Sequence, residues 1–369
     1  MKILHVEAGM HLYGGARQVD YLLRGLAGQG VRNLLAVPPG SELGERVADD
    51  TARVLTLPMA GDLDVGLIFR LKRLIERERP DLVHLHSRRG ADLFGGIAAR
   101  LAGVPALLTR RVDNPESGLA IRFKYPLFRK VVTISEGIRE VLLRQGVAPQ
   151  KLVCIRSAVD AQRYRTSCDR EWFVREFGLQ ADTRAIAVVA QLIPRKGHRY
   201  LLKAMPDLLE RFPNLHLLLF GKGPLEAEIS KQIHALGLDR QVSLAGFRDD
   251  LPRIFSCLEL LVHPALIEGL GVALLQAASA GVPIVASDAG GMPEAVRHEI
   301  NGLLVPPASA RALGDAIGRL LEEPAMARRM GQSGAAMMQQ EFSVERMVER
   351  NLALYRELLN RDPAAASAS

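Results

Sequence analysis

Short apolar runs alternate with amphipathic stretches along this 369-residue chain, lapse, and then begin again. That doubled rhythm constrains the fold more than any single motif. In the first half, residues 2–7, 33–37, 54–57, 82–85, 106–109 and 130–134 read as strands. Residues 17–29, 65–79 and 91–102 carry apolar side chains at helical spacing. Strands apolar on both faces and joined by helices demand a parallel sheet covered by helices on both sides. The alternation fades over 161–182, which reads as a linker. It resumes with strands at 185–190, 215–221, 242–244, 258–263, 283–286 and 302–305. The helices of this second series are 200–211, 226–236, 271–280, 310–322 and 324–342, and a last helical run covers 344–359. The tail 361–369 is mostly small residues and reads as disordered. The expectation is an α/β chain of two similar domains with a cleft between them. The first is 1–165, completed by the helix 344–360; the second is 166–343.

Bulk properties agree with two domains, since 369 residues exceed one ordinary core. Apolar residues form 48% of the chain and charged residues 24%, which argues for a globular protein and against disorder. The opening Met1-Lys2-Ile3-Leu4-His5-Val6 is too short an apolar run for a secretory signal and reads as the first strand. No apolar stretch approaches the roughly 20 residues of a membrane-spanning helix. The cysteines, Cys154, Cys168 and Cys257, lack a CxxC spacing. An odd, sparse set fits a reducing cytoplasm and argues against a structural zinc. The net charge of +7 is uneven: residues 1–165 carry +9 and the remainder −2. A basic half attracts nucleic acid, an anionic bilayer or an anionic small molecule; a solvated charged surface is the plainer reading.

Open α/β sheets bind ligands beyond the carboxyl ends of their strands, so the loops there carry the chemistry. The first, from Gly9 to Arg17 with Gly14-Gly15, lacks the Gly-x-Gly-x-x-Gly of a dinucleotide site. The second strand ends in Val37-Pro38-Pro39 with no acid for a ribose hydroxyl, so a nicotinamide enzyme is a poor reading. Gly14-Gly15 at a helix start instead lets backbone amides approach a phosphate; alone it would be a tight turn. In the second half, Arg195-Lys196-Gly197 places two cations on a strand-to-helix loop, suited to a diphosphate. Gly221-Lys222-Gly223, Gly246-Phe247, Glu268-Gly269-Leu270-Gly271-Val272 and Gly290-Gly291 follow successive strands. Each is weak singly. Five such loops at the carboxyl ends of strands in one domain are hard to explain as turns.

These residues carry a resemblance. The chain is similar to glycosyltransferase family 4, retaining enzymes of the GT-B architecture, in which two Rossmann-like domains face each other across a cleft. The resemblance rests on Gly14-Gly15, the run from Pro80 to His86, Ile134-Ser135-Glu136-Gly137, Arg195-Lys196-Gly197, Glu268-Gly269-Leu270-Gly271 and, most specifically, the run from Gly281 to Glu294. It implies that Arg195 and Lys196 hold the donor diphosphate and that Glu268 contacts the donor sugar, these three forming the catalytic set. Gly15, Gly221, Gly246, Phe247, Gly269, Leu270, Gly271, Val272 and Gln276 would line the donor site; Arg17, His86, Arg88 and Arg111 would serve the acceptor. Three departures stand out. The family's Glu-x7-Glu reads Glu268-x7-Gln276, so the ribose contact carries no charge. The usual Gly-Arg before the cation pair is Ala190-Gln191. Arg111 stands where many members have a His, which suggests an anionic acceptor.

Three further candidates have plainer readings. His84 and His86 share a face of one strand; His86, nearer the carboxyl end, is the expected cleft residue and His84 a satisfied core histidine. No third ligand is evident near them in the sequence, which argues against a metal site. Asp62-Leu63-Asp64 imitates a metal-binding triplet but precedes a helix, where capping is the better reading. Ser135 is expected to cap the helix after it.

The sequence therefore leads to a metal-independent, retaining transfer from a nucleoside-diphosphate sugar, UDP favoured, to a glycan or glycolipid acceptor. Resemblance to lipopolysaccharide-core and surface-polysaccharide transferases suggests a phosphorylated, membrane-borne acceptor. No cofactor, metal or nucleic-acid partner is expected. The basic first domain suits a cytoplasmic protein peripheral to the inner face of the cytoplasmic membrane. The rivals are a nucleotide-sugar epimerase of the same architecture and a basic membrane- or polyanion-binding protein with a vestigial site.

Overall fold

The structure, a computed structural model, describes residues 1–87 and 90–360. The chain divides into two compact units: Met1–Ala158 with the returning helix Val344–Asn360, and Val159–Ser343. The tail 361–369, expected to be disordered, and Arg88 lie outside the described residues.

Seven parallel strands form the sheet of the first unit: β1 (Lys2–Val6), β2 (Arg32–Val37), β3 (Arg53–Thr56), β4 (Leu82–Leu85), β5 (Ala106–Arg110), β6 (Lys130–Thr133) and β7 (Leu152–Cys154). Their order is β3-β2-β1-β4-β5-β6-β7, so the winding reverses between β1 and β4. Strands β4 and β5 are buried along their whole length and β2 along all but Arg32, which is why they read as unbroken apolar runs rather than alternating ones. The helix Gly66–Glu78 turns Leu67, Leu71, Leu74 and Ile75 into the core, a stripe at helical spacing. Met347, Val348, Leu352, Tyr355 and Leu358 of the helix Val344–Asn360 share a core cluster with Ile3, Leu22 and Leu26.

Local expectations divide here. Ser135 caps the helix Glu136–Arg144 by accepting from the Ile138 amide at 3.1 Å, as expected. Of the aspartates before the helix Gly66–Glu78, Asp64 keeps only a minor hydrogen bond to the Leu67 amide of its first turn, and the N-cap position itself is Val65. Asp64 instead accepts from the Ala60 amide at 2.8 Å and pairs with Arg70 one turn into the helix. A carboxylate that an arginine can reach is drawn to the stronger, charge-assisted bond. Strand β7 and the helices Glu42–Arg46 and Gly118–Lys124 are additional to the sequence reading; at three to seven residues they are too short to show a period.

The second unit repeats the architecture with β8 (Arg184–Val189), β9 (Leu215–Phe220), β10 (Val242–Gly246), β11 (Leu260–His263), β12 (Ile284–Ser287) and β13 (Gly302–Val305). Their order, β10-β9-β8-β11-β12-β13, again reverses beside its first strand, between β8 and β11. The expected linker 161–182 is not one. Its residues form a 3-10 turn, Ala161–Tyr164, and a helix, Arg170–Phe177, capped by Asp169, which accepts from the Trp172 amide at 3.1 Å. Trp172 and Phe173 are buried there, and the Phe177 ring stands edge-on to Phe220. The aromatic cluster, rather than any alternation, fastens the segment to the second unit, so the boundary falls at Ala158/Val159. Cys168 and Cys257 form a disulfide with a Cα–Cα separation of 4.8 Å, while Cys154 is buried and outside it. The cysteine count therefore does not argue for a reducing environment: 89 residues separate two thiols that folding makes neighbours.

Candidate active site

In the second unit the loops after β8 and β11, the strands flanking the reversal, meet at their carboxyl ends, the position where open α/β sheets leave a crevice. The Leu266 amide donates to the Arg195 carbonyl at 2.8 Å, joining the two loops. Gly197 makes this possible: its φ is +70°, and a Cβ there would lie 1.9 Å from the Pro264 carbonyl oxygen. A second close approach brings in the loop after β12. Gly290, at φ +61°, leaves no room for a Cβ against the Glu268 carbonyl oxygen (2.2 Å), and the Gly291 amide donates to that oxygen at 2.8 Å. The loops after β9 and β10 are likewise joined, the Gly221 amide donating to the Gly246 carbonyl at 2.8 Å.

Lys196 and Glu268, brought together by these contacts, form an ion pair with 9% and 14% of their side chains exposed. His263, the last residue of β11, approaches the same carboxylate oxygen at 3.3 Å, and the Gly269 amide donates to the other at 3.1 Å. Burial works to raise the Glu268 pKa. The hydrogen bond from His263 and the charge of Lys196 outweigh it and hold the carboxyl well below the usual range. His198, one residue past Gly197, is 3% exposed with neither ring nitrogen hydrogen-bonded. Burial, then the proximity of His263 and Lys196, lowers its pKa to about 4, so it is neutral. The helix Val272–Ser279 begins directly after Gly271 and carries the buried Gln276; Leu270 is buried and Phe247 is 55% exposed.

The first unit gathers polar groups at its own reversal, between β1 and β4. His5 lies opposite His84 in register. Its Nδ1 is 2.9 Å from His86 Nε2, and the two rings are stacked. His84 is the satisfied core histidine anticipated, with Tyr355 Oη and Thr109 Oγ1 each 2.6 Å from a ring nitrogen. His86, the expected cleft residue, is 2% exposed, and its Nδ1 faces Arg111 Nη2 at 3.5 Å. Arg111 passes Gly15, where a Cβ would meet its side chain at 3.4 Å, and its charge acts on the buried Glu7. Burial raises the Glu7 pKa and Arg111 opposes the rise. Arg17 lies on the helix Gly14–Ala27, partly buried.

The ligand atoms of His5, His84 and His86 all lie within 4.8 Å of one another, so a third ligand does exist beside the pair seen in the sequence. The arrangement is nevertheless one of hydrogen bonds. Both nitrogens of His84 are engaged, His5 and His86 engage each other, and a guanidinium faces the cluster. A divalent cation here would have to break those bonds and sit beside a fixed positive charge.

Two family models match the chain: Glycosyltransferase Family 4 over residues 13–163 and Glycosyl transferases group 1 over residues 169–337. The chain belongs to these glycosyltransferases. An uncharacterised glycosyltransferase of Methanocaldococcus jannaschii is 30% identical over 196 residues, covering 52% of this chain and about half, 50%, of that protein. The UDP-Gal:alpha-D-GlcNAc-diphosphoundecaprenol alpha-1,3-galactosyltransferase of Escherichia coli is 26% identical over 279 residues, 70% of this chain and 72% of its own length. HepE of Anabaena, solved in complex with UDP, superposes with a TM-score of 0.86 at 21% identity, covering 97% of this chain and 100% of that one. That likeness shows the fold: GT-B, built of two Rossmann-like domains.

In this glycosyltransferase the group 1 match contains the Lys196–Glu268 pair and the family 4 match contains the histidine cluster and Arg111. Sequence reasoning passed over His263, His198, His5 and Glu7. His263 closed the expected strand 258–263 but had no role until Glu268, five residues on, turned back onto it. His5 needed the pairing of β1 with β4 before it could be set beside His86.

Proposed function

We propose that this glycosyltransferase moves a sugar from a UDP-sugar to a glycan or glycolipid acceptor, with retention of configuration and without a metal. The observation that carries the reading is the buried Lys196–Glu268 pair at the β8/β11 reversal. As the sugar C1–O bond breaks, negative charge builds on the departing diphosphate. Lys196, Arg195 and the amides opening the helix Val272–Ser279 supply the opposing charge. Lys196 exchanges Glu268 for the diphosphate when the donor enters, and the freed carboxylate accepts hydrogen bonds from sugar hydroxyls. The acceptor oxygen bonds to C1 on the face the diphosphate leaves, and its proton passes to a phosphate oxygen. The complexes of HepE with UDP and UDP-glucose support the choice of donor at the level of the fold. The similar proteins are named as glycosyltransferases, which does not favour the epimerase reading.

The decisive measurement is a melting curve with UDP, GDP, ADP and CMP, with and without EDTA. A ligand at about 100 times its dissociation constant adds roughly 2.7 kcal/mol. The expected result is a shift with UDP that is insensitive to EDTA and lost in Lys196→Ala; no shift with any nucleotide would refute the reading.

The acceptor we propose is phosphorylated and membrane-borne, as in lipopolysaccharide-core synthesis. The charge of +9 over residues 1–165 and the place of Arg111 support it. No helix among the described residues is long and apolar enough to cross a membrane; attachment at the inner face of the cytoplasmic membrane would be peripheral. Transfer to a phosphorylated acceptor is expected to weaken as salt rises from 50 to 500 mM. Equal activity on neutral sugars at all salt concentrations would count against it.

A further inference from the structure

Arg111 has only donors, and this sets the direction of every bond behind it. A guanidinium carries N–H groups on all three nitrogens and stays protonated. The ring atom it faces, His86 Nδ1 at 3.5 Å, must therefore present a lone pair. His86 then carries its proton on Nε2 and donates to His5 Nδ1, 2.9 Å away. His5 in turn carries its proton on Nε2. Asn33 interacts with the His5 ring, and its Nδ2 is already committed to the Leu23 and Thr51 carbonyls at 3.0 and 3.1 Å. Asn33 Oδ1 and His5 Nε2 are both buried without a hydrogen bond of ordinary geometry, so Oδ1 is the Asn33 atom left to face the ring. The series runs one way, from Arg111 through His86 to His5, with the Asn33 amide beyond it. Reversing any member would set two donors or two acceptors face to face.

We propose that His86 and His5 are positioning residues that aim the Arg111 guanidinium through a directional pair of neutral rings. The rings suit the task because they are fully enclosed, at 2% and 0% exposure, and a charged ring there would press against Arg111. Burial lowers the pKa of both, that of His5 to about 3, which keeps them neutral at ordinary pH. Other charged and titratable groups around Arg111 are consistent with this. Glu7, at the end of β1, compensates its charge, while His84 is held by Tyr355 and Thr109 and takes no part in the series. His86 and Arg111 both line a small cavity of about 20 Å³, with Gln18, Thr109, Arg156 and Ser157. That volume admits about one water, so a guanidinium fixed at its wall presents its donors in a set direction. The consequence for acceptor recognition rests on the function proposed above; the positioning itself does not.

The test is ¹⁵N NMR of the full chain labelled on histidine and arginine, with ring signals assigned by His5→Gln and His86→Gln. At pH 7 both rings are expected as neutral Nε2–H tautomers, with Arg111 Nη signals resolved by hindered rotation. Asparagine places its amide oxygen where His86 has Nδ1, and glutamine places its amide group where His86 has Nε2. His86→Asn is therefore expected to keep the Arg111 signals resolved and His86→Gln to average them, at melting temperatures that differ little. An Nδ1–H tautomer or an imidazolium at His86 would overturn the proposal. So would equal Arg111 spectra in the two variants, or one equivalent of zinc chloride shifting all three rings, which would make the cluster a metal centre. None of these readings depends on nucleotide binding, so failure of the UDP melting experiment and failure of this one are separable.

Discussion

At the scale of single residues, the chain buries neutral histidines where other proteins bury hydrocarbon. His5, His84, His86, His198 and His263 are each at most 3% exposed, and each is pushed below its usual pKa, chiefly by burial. The unfolded chain takes up protons at these rings as pH falls through about 6.5, while the folded chain resists until lower pH, about 4 for His198 and about 3 for His5. The unfolded state thus binds more protons across that window, and stability must rise with pH there. The slope is about 1.4 kcal/mol per pH unit for each such ring. Melting temperatures are therefore expected to fall from about pH 6.5 downward, not only below the carboxylate range. A flat profile between pH 6.5 and 5 would show that the rings titrate in the folded state. Glu268 is shifted in the same direction, by the His263 hydrogen bond and the Lys196 ion pair rather than by burial: its depressed pKa contributes stability above about pH 4.3, lost on further acidification.

At the scale of elements, the site in the second unit depends on how closely loops from separate strands approach. Gly197 and Gly30 both have positive φ, +70° and +74°. An alanine at Gly30 meets nothing within 4 Å, whereas one at Gly197 would overlap the Pro264 carbonyl. Gly30→Ala is expected to cost about 1–2 kcal/mol, the backbone strain alone. Gly197→Ala should cost about 3 kcal/mol or more and weaken UDP binding, because the β8 loop must withdraw from the β11 loop. Chemical denaturation of the two variants checks this, and equal costs would mean the loop contact is dispensable. Such glycines were legible as punctuation after strands. Which backbone each one touches was not, since the touching segments lie far apart in sequence, from 22 residues for Gly290 and Glu268 to 67 for Gly197 and Pro264.

At the scale of the whole molecule, the chain is two doubly wound sheets, each with its polar cluster at the reversal of strand order. The disulfide Cys168–Cys257 closes a loop of 89 residues within the second unit only. Chain-entropy arguments assign such a loop about 4–5 kcal/mol. Reduction, or Cys257→Ser, is expected to lower the melting of the second unit and leave that of the first unchanged, as calorimetry of the separate transitions would show. A shift in both, or in neither, would contradict the assignment. The sequence by itself determined the fold class, most strands within a residue or two, and the loops that carry Arg195, Lys196 and Glu268. It did so because buried parallel strands, amphipathic helices and glycine turns each leave a local signature. Only the tertiary structure decided that Lys196 pairs with Glu268, that His5 completes a cluster with His86, that 161–182 belongs to a domain, and that two of three cysteines are joined. Those are contacts between residues distant in sequence, made when strands are set side by side, and no local pattern of residues records them.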